Sequence, residues 1–363
     1  MATEPLHKIL IYGAGNVGCY LGGRLASATE STPSADAGHA QSIDVRPSVR
    51  YLVRPHRLAD LRKHGITLSD SGGYSRQLAG ATLDLQTDPT AALADIDLVL
   101  VTVKSAATAE VAAELAKHLP TKAVVISFQN GLHNAEPLRA ALPGHAVLAG
   151  MVPFNIVQHA PDAFHQATSG HLMVEASRWS GLLIDLFARA GLPLQDHPDM
   201  PAVQRAKLLL NLNNAINALS DLPLRDELAQ RVWRRCLALA QREALQVFAV
   251  ARLPLAKITP LPPHWLPRVL ELPDLPFRLI ASRMLAIDPQ ARSSMWEDLR
   301  AGRRSEVDAL QGEIVALAAA HGMAAPVNAR LLERIRVAEQ QRQPLAGETL
   351  LADLRAVAVE RRA

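Results

Sequence analysis

A short apolar run, Ile9-Leu10-Ile11, stands near the start of the chain, and runs of similar length and character recur through its first half. Val49–Val53, Leu98–Val103, Ala123–Phe128 and Ala146–Ala149 each read as a strand. The runs at 98–103 and 123–128 are apolar without alternation, as expected of parallel strands covered on both faces. Between the strands, apolar positions recur at helical spacing. This predicts helices over Cys19–Ala26, over Leu58–His64 with Gly65 as the stop, and over Thr108–Leu119 before Pro120. Strand and helix therefore alternate, the pattern of an α/β fold. Residues 27–48 are small and polar and read as a loop insertion in the first βαβ unit. Near Pro198 the period changes. Helical patterns follow over 202–219, 226–252, 276–286, 295–301 and 306–321, and then a frayed end. Pro254–Pro273 reads as loops around one or two short turns. The expected organisation is a parallel-sheet domain over 1–197 and an all-helical domain over 198–363.

The first strand runs into Gly13-Ala14-Gly15-Asn16-Val17-Gly18. Strand, glycine turn and helix in this order form a dinucleotide fingerprint and make the first domain Rossmann-type. Gly13 permits the turn, Gly15 lets the backbone approach a pyrophosphate, and Gly18 lets helix and strand pack closely. The helix N-terminus then presents free N–H groups and a positive dipole end to phosphate. In an NAD-specific fold an acid near the end of the second strand holds the ribose hydroxyl. Here that end reads Arg54-Pro55-His56-Arg57, with no acid. A guanidinium suits a 2′-phosphate, so Arg54, with Arg57 as a second candidate, points to NADPH. Lys104 and Asn130 follow the third and fourth apolar runs, on the strand edge where open parallel sheets bind ligands.

Composition narrows the partners. The chain has 363 residues and a formal charge of +3, without a basic run, which argues against nucleic acid. There is no apolar stretch long enough to span a membrane and no secretory signal pattern, so the expected location is cytoplasmic. Cys19 and Cys236 make no disulfide framework, and the 13 histidines show no ligand spacing, so no metal is expected.

In the second half, Lys207, Asn211 and Asn214 lie at i, i+4 and i+7 among leucines, on one face of a helix. A polar stripe on a buried helix needs partners. It fits either a hydrogen-bonding seam or the wall of a polar site where Lys207 handles a proton or an oxyanion. Ser294-x-x-Glu297 fits a capping box, while a serine hydroxyl at a helix start also suits a carboxylate. Glu306, after Gly302-Arg303-Arg304-Ser305, reads as a first-turn acid.

Taken together, Gly13–Gly18, Val101–Lys104, Gln129-Asn130-Gly131, Lys207 with Asn211, the run from Ser293 to Asp308, and His321–Asn328 fall in one order over roughly residues 8–335. In these motifs the chain resembles the ketopantoate reductase (2-dehydropantoate 2-reductase) family. The resemblance implies reduction of a small 2-oxo acid by NADPH, with Lys207 as the general acid and Glu306 binding the substrate hydroxyl. It also implies Ser294 on the substrate carboxylate, Asn211 in the substrate site, and Asn130 beside the nicotinamide. Arg54 and Lys104 would contact the nucleotide. A homodimer is compatible with this reading. Three features depart from the family pattern, one of them a Pro254–Pro273 segment longer than expected, which could cover the cleft. Position 215 is Ala where an Asn is usual, with Asn214 one residue early, and Met151–Asn155 replaces a threonine-rich stretch. Two alternatives stay open: a related hydroxy-acid or opine-type dehydrogenase, and a non-catalytic NADPH-binding sensor.

Overall fold

The computed structural model describes residues 6–28, 47–280 and 288–360, in two compact units divided between Met200 and Pro201. Most of the expected insertion at 27–48, and the end of the expected helix at 276–286, lie outside the described residues.

Unit 1 runs β1 (Lys8–Tyr12), α1 (Asn16–Ala26), β2 (Ser48–Leu52), α2 (Pro55–His64), β3 (Ile66–Asp70), β4 (Ser75–Leu78), β5 (Asp84–Gln86), α3 (Pro89–Leu93), β6 (Leu98–Val101) and α4 (Thr108–His118). It continues with β7 (Val124–Ser127), α5 (Ala135–Ala141), β8 (Ala146–Met151), β9 (Ile156–Ala160), β10 (Ala163–Gln166), β11 (Leu172–Glu175), α6 (Ser180–Arg189) and β12 (Leu194–His197). The main sheet has the order β12-β11-β8-β7-β6-β1-β2-β5. Its strands from β8 to β5 are parallel, and β11 meets β8 antiparallel. Successive side chains point to opposite faces of a strand, so the apolar runs feed two cores. Ile9, Ile11, Leu98, Leu100 and Ile126 pack with Tyr20, Leu21 and Leu25 of α1 and Phe187 of α6. Leu10, Val99, Val101 and Val125 pack with Val111 and Leu115 of α4 and Leu138 of α5. The Rossmann-type expectation is therefore met.

The sequence reading passed over β3, β4, β5 and β9–β12. Four of these strands form a second sheet, β4-β3-β10-β9, whose strands are short and partly exposed. Arg24 locks the far end of α1 to this region: it donates to Asp70 at 3.1 Å and to the Ala190 and Gly191 carbonyls, and stacks on Tyr74.

Unit 2 is helical: α7 (Met200–Asn211), α8 (Asn213–Ser220), α9 (Leu224–Ala229), α10 (Arg231–Val250), α11 (Leu266–Leu270), α12 (Asp274–Ile280), α13 (Ser294–Arg300), α14 (Glu313–Ala320), α15 (Pro326–Gln340) and α16 (Gly347–Glu360). Three expectations are corrected here. The frayed end is two long helices, α15 and α16. The helix over 226–252 breaks at Gln230, which is extended at φ −99° and ψ 123°. The buried Arg234 takes the Leu228 and Ala229 carbonyls at the end of α9, so that turn ends on a side chain. The helix over 202–219 breaks at Leu212. There, Gln241 donates to the Leu209 carbonyl at 3.1 Å and Gln311 to the Leu212 carbonyl at 2.9 Å. Side chains that enter the backbone ladder interrupt a helix in this way. The proline-rich segment does hold two short turns, one of them α11, and is pinned to α7 by Arg205 on the Pro254 carbonyl at 2.7 Å.

Candidate active site

The glycines of unit 1 divide their roles as the spacing demands. Gly13 has φ +110°, and a Cβ there would stand 2.7 Å from the Val103 side chain. A Cβ on Gly18 would lie 2.1 Å from the Gly13 carbonyl oxygen. Only glycine fits either position. At Gly15 a Cβ would meet nothing within 4 Å, so the turn is open where a phosphate must approach. Thr102 fixes the turn by donating its hydroxyl to the Gly13 carbonyl at 2.7 Å. Val17 packs on the core, Ala14 accepts from the buried Cys19 thiol, and Asn16 donates to the Ile156 carbonyl. The open turn and the α1 N-terminus fit a dinucleotide pyrophosphate.

Arg54, Lys104 and Asn130 stand just past β2, β6 and β7 on the same sheet edge as the glycine turn. Arg54 is exposed and its guanidinium has no partner among the described residues. Arg57 is different: it donates to the Pro161 carbonyl and pairs with Asp60. Asp84, the acid on neighbouring β5, is taken by Arg50 at 2.7 Å. Asn130 sits on a buried polar chain. Ser127 donates to Gln129, Gln129 to Thr108, and Thr108 lies 2.8 Å from the Asn134 side-chain oxygen. The Asn130 carbonyl accepts from Asn134 and from Ser105.

In unit 2, Lys207 lies near the end of α7, one turn before Asn211 and the break. It keeps some surface access, yet protein packs around its ammonium closely enough that desolvation pulls its pKa down to about 8. Asn214 follows the break on α8, and its amide is without a partner among the described residues. Two buried residues tie other elements to this junction. Gln311, with no exposed surface, belongs to a π turn at Asp308–Gly312 and reaches the Leu212 carbonyl. Glu306 precedes that turn, and its approach is held by Ser305, whose N–H donates to Glu339 at 2.8 Å. Asn217 accepts from the Ser293 N–H at 2.8 Å, and the Ser293 hydroxyl donates to the Asn214 carbonyl at 3.2 Å. The elements bearing Lys207, Asn211, Asn214, Ser294 and Glu306 are thus joined by hydrogen bonds.

The capping-box expectation is corrected. Ser293 is the N-cap of α13, accepting from the Trp296 N–H at 3.2 Å, and Ser294 is the first helical residue. One residue's shift leaves the Ser294 hydroxyl without a partner among the described residues.

Comparison with known proteins gives the context for this arrangement. The family profile "Ketopantoate reductase PanE/ApbA" matches residues 9–179, and its C-terminal counterpart matches residues 199–339. The chain belongs to the ketopantoate reductase family. It is accordingly an oxidoreductase. A 2-dehydropantoate 2-reductase of Caulobacter vibrioides is 30% identical over 71% of this chain and 82% of its own length. One from Halobacterium salinarum is 26% identical over 92% and 99%. A ketopantoate reductase structure from Ralstonia eutropha superposes with a TM-score of 0.73, at 28% identity over 92% of this chain and 99% of that one. Among the described residues of this family member, no helix is long and apolar enough to cross a membrane, and no cluster of three or more His, Cys, Asp or Glu could hold a metal ion. Sequence reasoning assigned no role to Asn217 or Gln311. Asn217 carried a signal, as the last of four asparagines on a leucine-rich helical stretch, whereas Gln311, between Asp308 and Glu313, carried none.

Proposed function

We propose that this member of the ketopantoate reductase family reduces 2-dehydropantoate to pantoate with NADPH, residues 1–197 holding the cofactor and 198–363 the substrate and proton donor. The observation that carries the reading is Lys207: an ammonium with its pKa lowered to about 8, beside Asn211 and Asn214 and tied to the elements of Ser294 and Glu306. A general acid works best with a pKa near the working pH. The open turn at Gly15 and Arg54, which has no partner among the described residues, support NADPH as the bound dinucleotide. The hydride that reduces the substrate carbonyl carbon would come from NADPH bound there. Lys207 stabilises the alkoxide that develops and gives it a proton. Ser294 donates to the substrate carboxylate, Glu306 accepts from the substrate hydroxyl, and Asn211 and Asn214 line the site. On the cofactor side, Gly13 to Gly18 receive the pyrophosphate, Arg54 and Lys104 the nucleotide phosphates, and Asn130 holds the reacting end.

The test is NADPH oxidation with 2-dehydropantoate, pyruvate, 2-oxoisovalerate and oxaloacetate, for the parent and for Lys207→Ala. The parent should favour 2-dehydropantoate in kcat/KM. Lys207→Ala should lose about 10²–10⁴ in kcat with NADPH binding retained. The parent's kcat/KM should fall as pH rises through about 8, because the donor is then deprotonated. Preference for another oxo acid moves the substrate assignment, and undiminished hydride transfer in the variant removes Lys207 as the acid.

A further inference from the structure

Glu227 of α9 is a carboxyl with no exposed surface, and the reaction above leaves it without a task. One of its oxygens accepts from the Asn217 amide at 2.7 Å and from Asn213 at 3.3 Å. The other is buried without a partner among the described residues. Burial pushes the carboxyl up to about 8 despite the two amides, so it is neutral at pH 7.

Asn217 is also fully buried, and both ends of its amide are engaged. The nitrogen donates to Glu227 and to the Leu222 carbonyl at 3.0 Å. The oxygen accepts from the Ser293 N–H at 2.8 Å. An amide is planar, with its donor and acceptor on opposite edges. Two acceptors on the nitrogen side, Glu227 and Leu222, therefore dictate that oxygen faces Ser293. Turned the other way, the fully buried amide would set N–H against N–H at Ser293 and carbonyl against carbonyl at Leu222. Ser293 is held on a second atom by its hydroxyl on the Asn214 carbonyl. Ser294, the next residue, takes its place from these contacts.

We propose that Asn217, oriented by Glu227, is a positioning residue that fixes Ser294 against the substrate carboxylate; this rests on the role given to Ser294 above. It reaches the substrate only through Ser294, so its removal acts on substrate binding and leaves cofactor binding and proton donation in place.

The experiment is a double-mutant cycle in the full-length protein, with NADPH and the oxo acid that the panel shows to be turned over best. Ser294→Ala should raise the oxo acid KM about tenfold, the usual loss for a hydrogen bond to a charged group. Asn217→Ala should raise it by a similar factor, with kcat within about threefold and the NADPH KM unchanged. In the Ser294→Ala background, Asn217→Ala should add less than about twofold, since residues that act through one another are not additive. Glu227→Gln keeps an acceptor toward Asn217 and should retain the parent KM, whereas Glu227→Met should reproduce the Asn217→Ala effect. If Asn217→Ala does not fold, Asn217→Ser makes the same comparison with a smaller polar group. An unchanged KM in Ser294→Ala removes the carboxylate role of Ser294 and this proposal with it. A raised KM in Ser294→Ala with multiplicative effects in the double variant, or with a parent-like KM in Glu227→Met, leaves Ser294 in place and overturns the positioning role.

Discussion

At the scale of single residues, two side chains make separable predictions. Arg54 is exposed, without a partner among the described residues, and stands where an NAD-specific fold would have an acid. Arg54→Ala should raise the NADPH KM about tenfold or more, a charge-assisted phosphate contact contributing roughly 1.5–3 kcal/mol. The NADH KM should stay nearly unchanged. Equal use of both cofactors by the parent, in steady-state rates, would remove the 2′-phosphate role. The role proposed for Glu306 concerns the other reactant. Its proposed partner is a hydroxyl that 2-dehydropantoate has and 2-oxoisovalerate lacks. Sites built to bond a hydroxyl discriminate strongly against analogues without one. Glu306→Ala should therefore lower kcat/KM for 2-dehydropantoate far more than for 2-oxoisovalerate, and equal losses on the two substrates would make Glu306 a structural acid.

At the scale of elements, helix joints depend on side chains from distant sequence. Arg234 has no exposed surface and donates to the carbonyls of Leu228, Ala229, Leu270 and Leu272, with Asp274 at 2.8 Å. Arg234→Leu would leave several buried acceptors unpaired at once. A loss of roughly 3 kcal/mol or more is expected, each unsatisfied group costing about 1–3 kcal/mol. The denaturant midpoint measures it, and a shift of less than about 1 kcal/mol would show the joint to be held by packing alone. The same physics explains what could be read in advance. Gly13, Gly15 and Gly18 were legible because their task is local: a turn, an approach and a close packing within six residues. The parallel strands were legible from their unbroken apolar runs. The breaks at Leu212 and Gln230 were not, because the helical period runs on through both. What stops the helices is Gln241, Gln311 and Arg234, and the donor to Leu212 lies 99 residues away. Ser294 was singled out as a cap candidate, but the cap was missed by one residue, since Ser293 and Ser294 are equivalent in sequence. The second sheet escaped notice because β4 shows little apolar character and β3, β9 and β10 are short runs that mix apolar with polar residues.

At the scale of the molecule, two titratable groups with opposite shifts shape stability against pH. Glu227 is raised from 4.5 to about 8 by burial. The stability it allows is fully present below pH 4.5 and is lost as pH rises through 8. Lys207 is lowered from 10.5 to about 8, so the stability it allows is present above 10.5 and is lost as pH falls through 8. Both penalties stand together near pH 8. Relative to the parent, Glu227→Gln should gain stability progressively from pH 4.5 to 8. Thermal midpoints across that window check this; a constant offset would mean that Glu227 titrates alike in the folded and unfolded chains.

The π turn at Asp308–Gly312 has a consequence for how such a chain diversifies. A π turn holds one residue more than an α turn of the same span. Gln311 is anchored to Leu212, so loss of one residue from the turn would be absorbed on its N-terminal side, displacing Glu306, which precedes the turn. The carboxylate would leave its station while Lys207 and the hydrogen-bonded junction stayed as they are. On the roles proposed for Glu306 and Lys207, a single-codon deletion here is a short evolutionary step from selectivity for a hydroxylated oxo acid to acceptance of the plain acid, with no substitution at Lys207.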